Sequence, residues 1–234
     1  MQSINSGGLA VIIGASGGIG QAVSEAVRAS GTFARVIDYS RASEPDVDLL
    51  DETTIIRAAA HAAAAGLDLQ LVFDATGFLH GSSFKPEKSW SALDPAHMAH
   101  AFAVNAAGPA LLMKHFLPLL PKTGKSVFAT LSAKVGSIGD NTLGGWYSYR
   151  ASKAALNQFV HCAAIELRRK SPEAICVALH PGTVDTGLSS GYAKSGLTVR
   201  PPAQAADLLL AVLDQLTAEQ SGGFFDYHGT ALPW

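Results

Sequence analysis

The chain has 234 residues, of which 48% are hydrophobic and 15% are charged, so it can bury a large core and is not a disordered protein. Its net charge is -2 and no basic run stands out, which argues against nucleic acid as a partner. The N-terminus lacks the charged start of a signal peptide, and no apolar stretch approaches the ~20 residues that span a bilayer. We therefore expect a soluble, cytoplasmic protein without membrane contact, in which Cys162 and Cys176 are reduced core residues. The histidines form no zinc motif, so we expect no metal site.

Apolar runs typical of buried strands alternate with longer helical stretches along the whole chain. The predicted strands are Leu9–Ile13, Arg35–Tyr39, Leu69–Phe73, Ser126–Leu131, Ile175–Leu179 and Phe224–Phe225, and the predicted helices are Ile19–Ala29, Glu52–Ala65, Pro95–Leu117, Ser148–Lys170 and Ala203–Leu216. Gly108-Pro109 predicts a kink or break in the third helix, because proline removes a backbone hydrogen bond. This order indicates the α/β class: a single domain over residues 1–234, with a Rossmann-type doubly wound parallel sheet and helices on both faces.

A glycine-rich loop joins the first predicted strand to the first helix. The loop reads Gly14-Ala15-Ser16-Gly17-Gly18-Ile19-Gly20. Glycines at these positions let the backbone approach a pyrophosphate, and the free N–H groups at the start of the helix supply a complementary field. We therefore predict a dinucleotide-binding loop made of Gly14, Ser16, Gly17, Gly18, Ile19 and Gly20.

The end of the second strand bears on which dinucleotide is bound. Ser40 and Arg41 follow the strand, at the place where a doubly wound fold meets the adenosine ribose. A serine and an arginine can bond and neutralise a 2′-phosphate, so NADP(H) is favoured. If the strand ends two residues earlier, Asp38 becomes the acid that binds the ribose, and NAD(H) is preferred instead.

Tyr149 and Lys153 are four residues apart in the fourth predicted helix and share one face. A phenol has an ordinary pKa of about 10 and exchanges protons poorly at neutral pH unless its anion is stabilised. An ammonium ~4 Å away contributes about 4 kcal/mol at an effective dielectric of about 20, which would lower the phenol pKa by about three pH units. The pair is therefore a candidate proton donor.

With these elements in order, the chain resembles a single-domain short-chain dehydrogenase/reductase from Leu9 to the C-terminus. The finer resemblance is to C-factor-like and sniffer-like carbonyl reductases. It is carried by 77–81 (GFLHG), 86–88 (PEK), 104–109 (VNAAGP), 115–120 (HFLPLL), 135–141 (VGSIGDN), 149–157 (YRASKAALN), 180–186 (HPGTVDT) and the terminal Pro233-Trp234.

The resemblance implies a catalytic tetrad. Tyr149 is expected to donate a proton to the carbonyl oxygen. Lys153 is expected to lower the pKa of Tyr149 and to hold the nicotinamide ribose. Asn105 is expected to support a water that connects the lysine to solvent.

The serine of the tetrad is the imperfect match. The usual serine position, counted back from Gly136, holds Ala133 in this chain, and Ser132 stands immediately before it. Neighbours on a strand point to opposite faces, so a shift of one residue decides whether Ser132 reaches the site. We assign the role to Ser132, at the carboxyl end of the predicted strand, with Ser137 as the alternative. Ser132 could instead bond only a nearby backbone group.

Further contacts with the cofactor follow from the resemblance. Asp48 matches an acid at the adenine edge, although it could equally cap a helix. The loop Ala75-Thr76-Gly77 lies beside the cofactor in this family, and Pro181, Gly182, Val184 and Thr186 match the segment that holds the nicotinamide carboxamide. Residues 187–200 would form a substrate lid.

Two residues in the loops around the cofactor depart from the pattern of the family. Ile13 precedes the first glycine and Asp74 begins the second loop, so the hydrogen bonds that usually brace these loops must come from other groups.

The walls of the substrate pocket are expected to be apolar or aromatic. The residues that suggest this are Phe78, Trp146, Tyr147 and Tyr192, although each could be a core residue.

The sequence thus predicts an NADP(H)-dependent oxidoreductase that transfers hydride between nicotinamide and a small-molecule carbonyl or alcohol substrate. The alternative is a dinucleotide-binding regulatory protein with vestigial catalysis, which the altered serine region supports. A sugar-nucleotide epimerase or dehydratase is disfavoured, because too little chain follows Thr186 for a separate substrate domain. By analogy with the family we expect a homodimer or homotetramer.

Overall fold

The computed structural model describes residues 1–189, 192 and 198–234. One sheet contains β1 (Leu9–Ile13), β2 (Arg35–Tyr39), β3 (Leu69–Asp74), β4 (Ser126–Leu131), β5 (Ala174–His180) and β8 (Phe224–Asp226). The helices are α1 (Gly18–Ala29), α2 (Glu52–Ala63), α3 (Pro95–Phe102), α4 (Gly108–Phe116), α5 (Tyr147–Arg168) and α6 (Pro202–Gln215), and β6 (Thr183–Val184) pairs separately with β7 (Val199–Arg200). Within the described ranges, no helix is both long and apolar enough to cross a membrane.

The six-stranded sheet is parallel throughout and has helices on both faces. Leu9, Val11 and Ile13 of β1 join the core under α2, α4 and α5. Ala10 and Ile12 join the core under α1 and α6. Because successive side chains of a strand point to opposite faces, a strand with two covered faces is mostly apolar along its whole length. This architecture confirms the predicted doubly wound α/β class.

The strand order β2-β1-β3-β4-β5-β8 reverses its direction at β1. At this point β1 lies between β2 and β3, and Ile13 is level with both Tyr39 and Asp74. In open α/β sheets, ligands bind outside the carboxyl ends of the strands at such a reversal. The loops that follow β1 and β3 therefore border the expected cofactor crevice.

The third predicted helix is interrupted, as Gly108-Pro109 indicated. Residues 103–107 form a π-helical turn between α3 and α4, and Pro109 lies in the first turn of α4. A proline is tolerated there because the first N–H groups of a helix have no intrahelical partner. The π turn contains Asn105, so the break falls at one of the predicted site residues.

The expectation that both cysteines are core residues needs correction, because Cys162 is exposed on α5 and only Cys176 is buried. Part of the range 187–200, predicted as a substrate lid, lies outside the described residues. Its last two residues form β7 against β6, and the lid itself stays a prediction. Strands of two residues carry no recognisable hydrophobic pattern, which is why β6 and β7 were not predicted.

Candidate active site

Tyr149 and Lys153 lie together on the inner face of α5, as their spacing predicted. Tyr149 is 9% exposed and Lys153 is 2% exposed. The Lys153 ammonium is 6.0 Å from the centroid of the Tyr149 ring, and its Nζ donates a hydrogen bond of 2.7 Å to the carbonyl oxygen of Leu131. That bond ties α5 to the carboxyl end of β4 and fixes the lysine under the tyrosine.

The protonation of this pair differs from the sequence expectation. Burial raises the pKa of Tyr149 above its ordinary value. Burial also lowers the pKa of Lys153 to about 8, and the nearby charge of Asp74 offsets part of that effect. The expected lowering of the tyrosine pKa by the lysine is therefore wrong for the free protein, because loss of water around the phenol outweighs the ammonium. Tyr149 consequently holds its proton at neutral pH.

Glu87 fixes the start of α5 from a distant loop, a contact that the sequence did not reveal. Its carboxylate accepts hydrogen bonds from the hydroxyl and, at 3.3 Å, from the backbone N–H of Ser148, and it lies 3.3 Å from Nδ1 of His97. Its carbonyl oxygen accepts from the N–H of Trp146, whose φ of 53° is left-handed. A buried carboxylate at a helix N-terminus satisfies N–H groups that otherwise lack partners. Glu87 therefore sets the position of Tyr149, one residue beyond Ser148.

Asn105 joins the loop after β3 to α5. It is fully buried, and its amide both accepts from the N–H of Phe78 and donates to the carbonyl oxygen of Phe78, each at 2.7 Å. The same amide nitrogen donates to the hydroxyl of Ser152 at 3.1 Å. The π turn that carries Asn105 thus braces the floor of the site, and its predicted role in holding a water stays a prediction.

Asp74 supplies the bracing that the altered loop after β3 requires. Its carboxylate is fully buried and accepts hydrogen bonds from the N–H and hydroxyl of Thr76, at 3.0 and 2.6 Å, and from the hydroxyl of Thr130 at 2.6 Å. Burial raises the pKa of Asp74, while these bonds and Lys153 act in the opposite direction. The loop 75–77 is therefore held by a carboxylate.

The candidate serines differ in where their hydroxyls point. Ser132 lines the cavity beside Tyr149, but its hydroxyl donates a 2.7 Å bond to Oδ1 of Asn157 on α5. Ala133 packs in the same apolar cluster as the Tyr149 ring. Ser137 lies against the C-terminus, where its hydroxyl meets the carbonyl oxygen of Trp234 at 3.3 Å. At the position where the resemblance implies a serine, Ala133 therefore places a methyl group in the apolar cluster that contains Tyr149.

The glycine loop folds tightly back against the start of α1. Gly14 has a φ of 79°, which only glycine adopts without strain. A side chain at Gly20 would collide with the carbonyl oxygen of Gly14, and one at Gly18 would lie 2.9 Å from Cγ2 of Thr186. Gly17 caps α1 without a side-chain hydrogen bond, so no side chain fills the position in front of the first N–H groups. The N–H of Gly17 donates to the carbonyl oxygen of Gly14 at 3.0 Å, so the backbone N–H groups of 18–20, together with Ser16, are the ones that remain available to a phosphate.

The adenosine end of the crevice is formed by the segment after β2. The strand runs through Tyr39, so Ser40 and Arg41 follow its carboxyl end, and Arg41 is exposed. Asp38 is bound to α1 instead: its carboxylate accepts from Ser24 at 2.7 Å and forms an ion pair with Arg28 at 2.8 Å. The strand therefore does not end two residues earlier, as the alternative for Asp38 required, and the choice between NADP(H) and NAD(H) stays a prediction.

Asp48 lies near this end of the crevice. Its carboxylate accepts from the N–H of Leu50 at 3.0 Å. The helix cap that it could have formed is made by Asp51, which accepts from the N–H of Thr53 at 2.9 Å. The capping alternative for Asp48 is wrong, and its contact with adenine stays a prediction.

The segment after β5 approaches the start of α1 and forms one wall of a cavity. Gly182 has a φ of 78°, and a side chain there would come within 2.8 Å of the Tyr227 ring. The guanidinium of Arg200 stacks 3.9 Å from the centroid of that ring. No sequence pattern indicated this stacked pair, because its members are far apart in the chain and in separate strand ends.

The cavity at the carboxyl ends of β4 and β5 has a volume of about 330 Å³. Its lining combines the predicted Ile19, Ser132, Trp146, Tyr149, Pro181, Gly182, Val184, Thr186 and Tyr192 with Leu79, Ala133, Lys134, Val135, Leu143, Gly144, Arg150, His180, Thr183, Leu188 and Ser189. Phe78 packs against His100 instead, with ring centroids 4.5 Å apart. The expectation that Phe78 and Tyr147 form cavity walls is therefore wrong, whereas Trp146 and Tyr192 do.

These residues fit a nicotinamide dinucleotide. The uncapped start of α1 suits a pyrophosphate, the exposed Arg41 suits a phosphate on the ribose, and the cavity beside Tyr149 is continuous with the wall 181–186. In the described part of the chain, no group of three or more His, Cys, Asp or Glu side chains is placed to hold a metal ion.

Comparison with known proteins identifies the family. The model of the short chain dehydrogenase family matches residues 8–196. The C-signal protein of Myxococcus xanthus is 40% identical over 149 residues, which are 62% of this chain and 85% of that protein. The 1-hydroxy-2-glutathionyl-2-methyl-3-butene dehydrogenase of Rhodococcus sp. (strain AD45) is 33% identical over 191 residues, which are 82% of this chain and 80% of that protein.

Two solved structures share the fold over nearly the whole chain. The NADPH-bound carbonyl reductase from chicken fatty liver superposes with a TM-score of 0.84 at 24% identity, covering 99% of this chain and 100% of that one. The carbonyl reductase Sniffer of D. melanogaster superposes with a TM-score of 0.83 at 23% identity, with the same coverage. The family match, the C-signal relative and this shared fold agree with the resemblance seen in the motifs, and the chain belongs to the short-chain dehydrogenase family of oxidoreductases.

Proposed function

We propose that this protein is an NADP(H)-dependent carbonyl reductase. The observation that carries the proposal is the buried Tyr149–Lys153 pair, which lies in a largely apolar cavity at the carboxyl edge of the sheet. The glycine loop borders the same edge, at the reversal of strand order. A proton donor and a dinucleotide crevice that share one opening are what carbonyl reduction needs.

The chain's own groups have distinct tasks in this reaction. Bound NADPH supplies the hydride. Tyr149 holds its proton at neutral pH, because burial keeps the pKa of the phenol high. It donates that proton from its hydroxyl to the carbonyl oxygen as negative charge develops there. Lys153 places its ammonium under the ring and favours the phenolate that remains. Asp74 and Asn105 hold the loop and the π turn that surround the lysine.

The preference for NADP(H) rests on two side chains at the end of β2. Asp38 is occupied by Ser24 and Arg28, so no carboxylate from this strand competes with a 2′-phosphate. Arg41 is exposed beyond the strand end and, in the described part of the chain, forms no ion pair with a carboxylate. A free guanidinium at this place favours the phosphorylated dinucleotide.

The cavity lining indicates an apolar carbonyl compound as the substrate. Leu79, Val135, Leu143, Trp146 and Tyr192 are its large apolar and aromatic lining residues, and none of the described lining residues is acidic. Two of the structural relatives are named as carbonyl reductases, and the Rhodococcus relative is named as a dehydrogenase of a hydroxy compound. Aldehydes, ketones and quinones with an aromatic or branched body fit these walls.

A second candidate function is regulatory binding of the dinucleotide without turnover. Ala133 in place of a hydroxyl beside Tyr149, together with the bond of Ser132 to Asn157, favours it. The two functions are separated by measuring NADPH binding and NADPH oxidation on the same samples.

The test is a screen of aromatic aldehydes, ketones and quinones as substrates, in which NADPH oxidation is measured as the loss of NADPH absorbance. We expect oxidation with at least one class, and a lower KM for NADPH than for NADH. Binding of NADPH without oxidation in any class would support the regulatory alternative, and absence of NADPH binding would contradict both.

A further inference from the structure

His180 is a cavity residue that the proposed mechanism does not use. It is the last residue of β5, two positions beyond Ala178, which packs against the α5 side of the sheet. Side chains two apart in a strand share a face, so the imidazole of His180 lies on the side of the sheet that carries α5 and Tyr149. His180 and Tyr149 line the same cavity.

The imidazole has an unmet hydrogen bond. Its Nδ1 is buried and has no partner among the described residues. The chain has other buried side-chain atoms in this condition, on Gln70, His80, Ser126 and Asn157, but none of those residues lines this cavity. An unpaired buried polar group costs about 1–3 kcal/mol, so a ligand that enters the cavity and supplies the missing partner of His180 would remove that cost.

Neighbouring polar side chains are already committed to the protein. The hydroxyl of Ser132, the residue that follows β4, donates to Asn157. The hydroxyl of Ser189 donates to the carbonyl oxygen of Val184. The guanidinium of Arg150 donates to two backbone carbonyl oxygens, at 2.9 and 3.1 Å. The hydroxyls of Ser132 and Ser189 are therefore not free to act as a second donor to a substrate oxygen next to Tyr149.

The environment of His180 keeps its ring neutral. Burial lowers its pKa to about 4, which the carboxylates of Asp226 and Asp140 oppose and the cations Lys134 and Arg200 reinforce. The centroid of the Tyr227 ring lies 6.3 Å from that of the imidazole. A neutral imidazole has one N–H donor and one acceptor nitrogen throughout the pH range of an assay. It can therefore donate a hydrogen bond without losing a proton.

We propose that His180 donates a hydrogen bond to the carbonyl oxygen of the substrate, beside the hydroxyl of Tyr149, and so takes the place of the missing hydroxyl at position 133. The inference rests on the proposed reductase function. The oxygen gains negative charge as hydride arrives at the carbon, and a second fixed donor stabilises that charge. The proton that completes the alcohol comes from Tyr149, and His180 keeps its own.

The experiment compares His180→Leu and His180→Phe with His180→Gln, whose amide retains a donor. The probes are 4-nitrobenzaldehyde and 9,10-phenanthrenequinone with NADPH. We expect both apolar variants to lower kcat by about 100-fold, near the low end of the effect of deleting one oxyanion donor, and the glutamine variant to stay within about tenfold of the wild type. The loss should not change between about pH 6 and 9, because the wild-type ring remains neutral there.

A matched control separates this effect from a general loss of histidine. His228 is exposed beside Tyr227 and does not line the cavity, so His228→Leu should keep the wild-type kcat. Dissociation constants for NADPH should agree within about threefold across all variants, because His180 acts on the substrate.

The two proposals fail in different ways. If the wild type binds NADPH but reduces none of the carbonyl probes, the reductase function is contradicted. If the wild type is active and the two apolar His180 variants retain more than a third of its kcat, the role of His180 is overturned. A glutamine variant as impaired as the apolar ones would also overturn it, because a donor would then be irrelevant.

Discussion

Replacement of Lys153 by methionine is expected to stabilise the fold while it removes catalysis. Burial lowers the pKa of the Lys153 ammonium from 10.5 to about 8. At about 1.4 kcal/mol per pH unit, holding the charge in this site at pH 7 costs about 3 kcal/mol of unfolding free energy. Methionine has a similar length and no charge, but it loses the bond to the Leu131 carbonyl oxygen, about 1 kcal/mol. The variant should therefore gain about 2 kcal/mol at pH 7.

The pH dependence of this gain follows from the direction of the shift. In the unfolded chain the lysine keeps its ordinary pKa of 10.5, so between about pH 8 and 10.5 the unfolded state binds a proton that the folded state does not. The stability of the wild type therefore rises with pH across that window relative to the variant. The advantage of Lys153→Met is full below about pH 8 and should be about 2 kcal/mol smaller at pH 9.5.

Urea unfolding at pH 7 and pH 9.5 measures both effects. Lys170, an exposed residue just after α5, provides the control, and Lys170→Met should change the unfolding free energy by less than about 0.5 kcal/mol. A Lys153→Met variant that is less stable than the wild type at pH 7 would refute the reasoning. So would a stability difference that stays the same at the two pH values.

Two further predictions concern the cofactor and the helix that carries Tyr149. Arg41→Ala should weaken NADPH binding by about 10- to 100-fold, because one charged hydrogen bond is lost, and should leave NADH binding within about threefold of the wild type. Equal losses of affinity for the two dinucleotides would contradict the assignment of Arg41. Glu87→Ala leaves Ser148 and His97 without their buried carboxylate and should cost about 3–5 kcal/mol, lowering the melting temperature by about 6–15 °C. The exposed Glu166→Ala is its control, and equal melting temperatures for the two would count against the role of Glu87.

The strands were predictable because both faces of the sheet are covered. Three of the six, β1, β2 and β4, have the bounds that the apolar runs indicated, and the others are longer by one or two residues. Segments buried on both faces are mostly apolar, so an apolar run marks them even where it includes a buried polar residue such as Gln70 or Thr130. The π turn at 103–107 was foreseen only as a break, since a proline reports the interruption and not the geometry that replaces the helix.

The site was predictable where its residues are close in sequence. The glycine loop and the Tyr149–Lys153 pair follow from spacing alone, because a turn and a helix fix those distances locally. Glu87 reaches Ser148 across 61 residues, and Arg200 meets Tyr227 from another strand end, so only the tertiary fold brings them together. Which serine faces the cavity depends on a shift of one residue in the position of the strand end. Strand ends cannot be predicted from a sequence pattern with that accuracy.

The lowered pKa expected for Tyr149 failed for a similar reason. Its spacing from Lys153 gives the attraction between the two groups, but not the burial of either one. In the folded chain the phenol and the ammonium share a site from which water is excluded. The effect of burial on the pKa of each group is larger than the effect of their mutual attraction. The sequence thus indicated the pair and not its protonation.

The most direct measurement is the kcat of Tyr149→Phe for NADPH oxidation with the best carbonyl probe, taken with its dissociation constant for NADPH. The phenylalanine keeps the ring and removes only the hydroxyl. We expect kcat to fall by at least about 100-fold, with NADPH affinity within about threefold of the wild type. A variant that turns over at the wild-type rate would show that the proton reaches the substrate by another route, and the assignment of Tyr149 as the proton donor would be wrong.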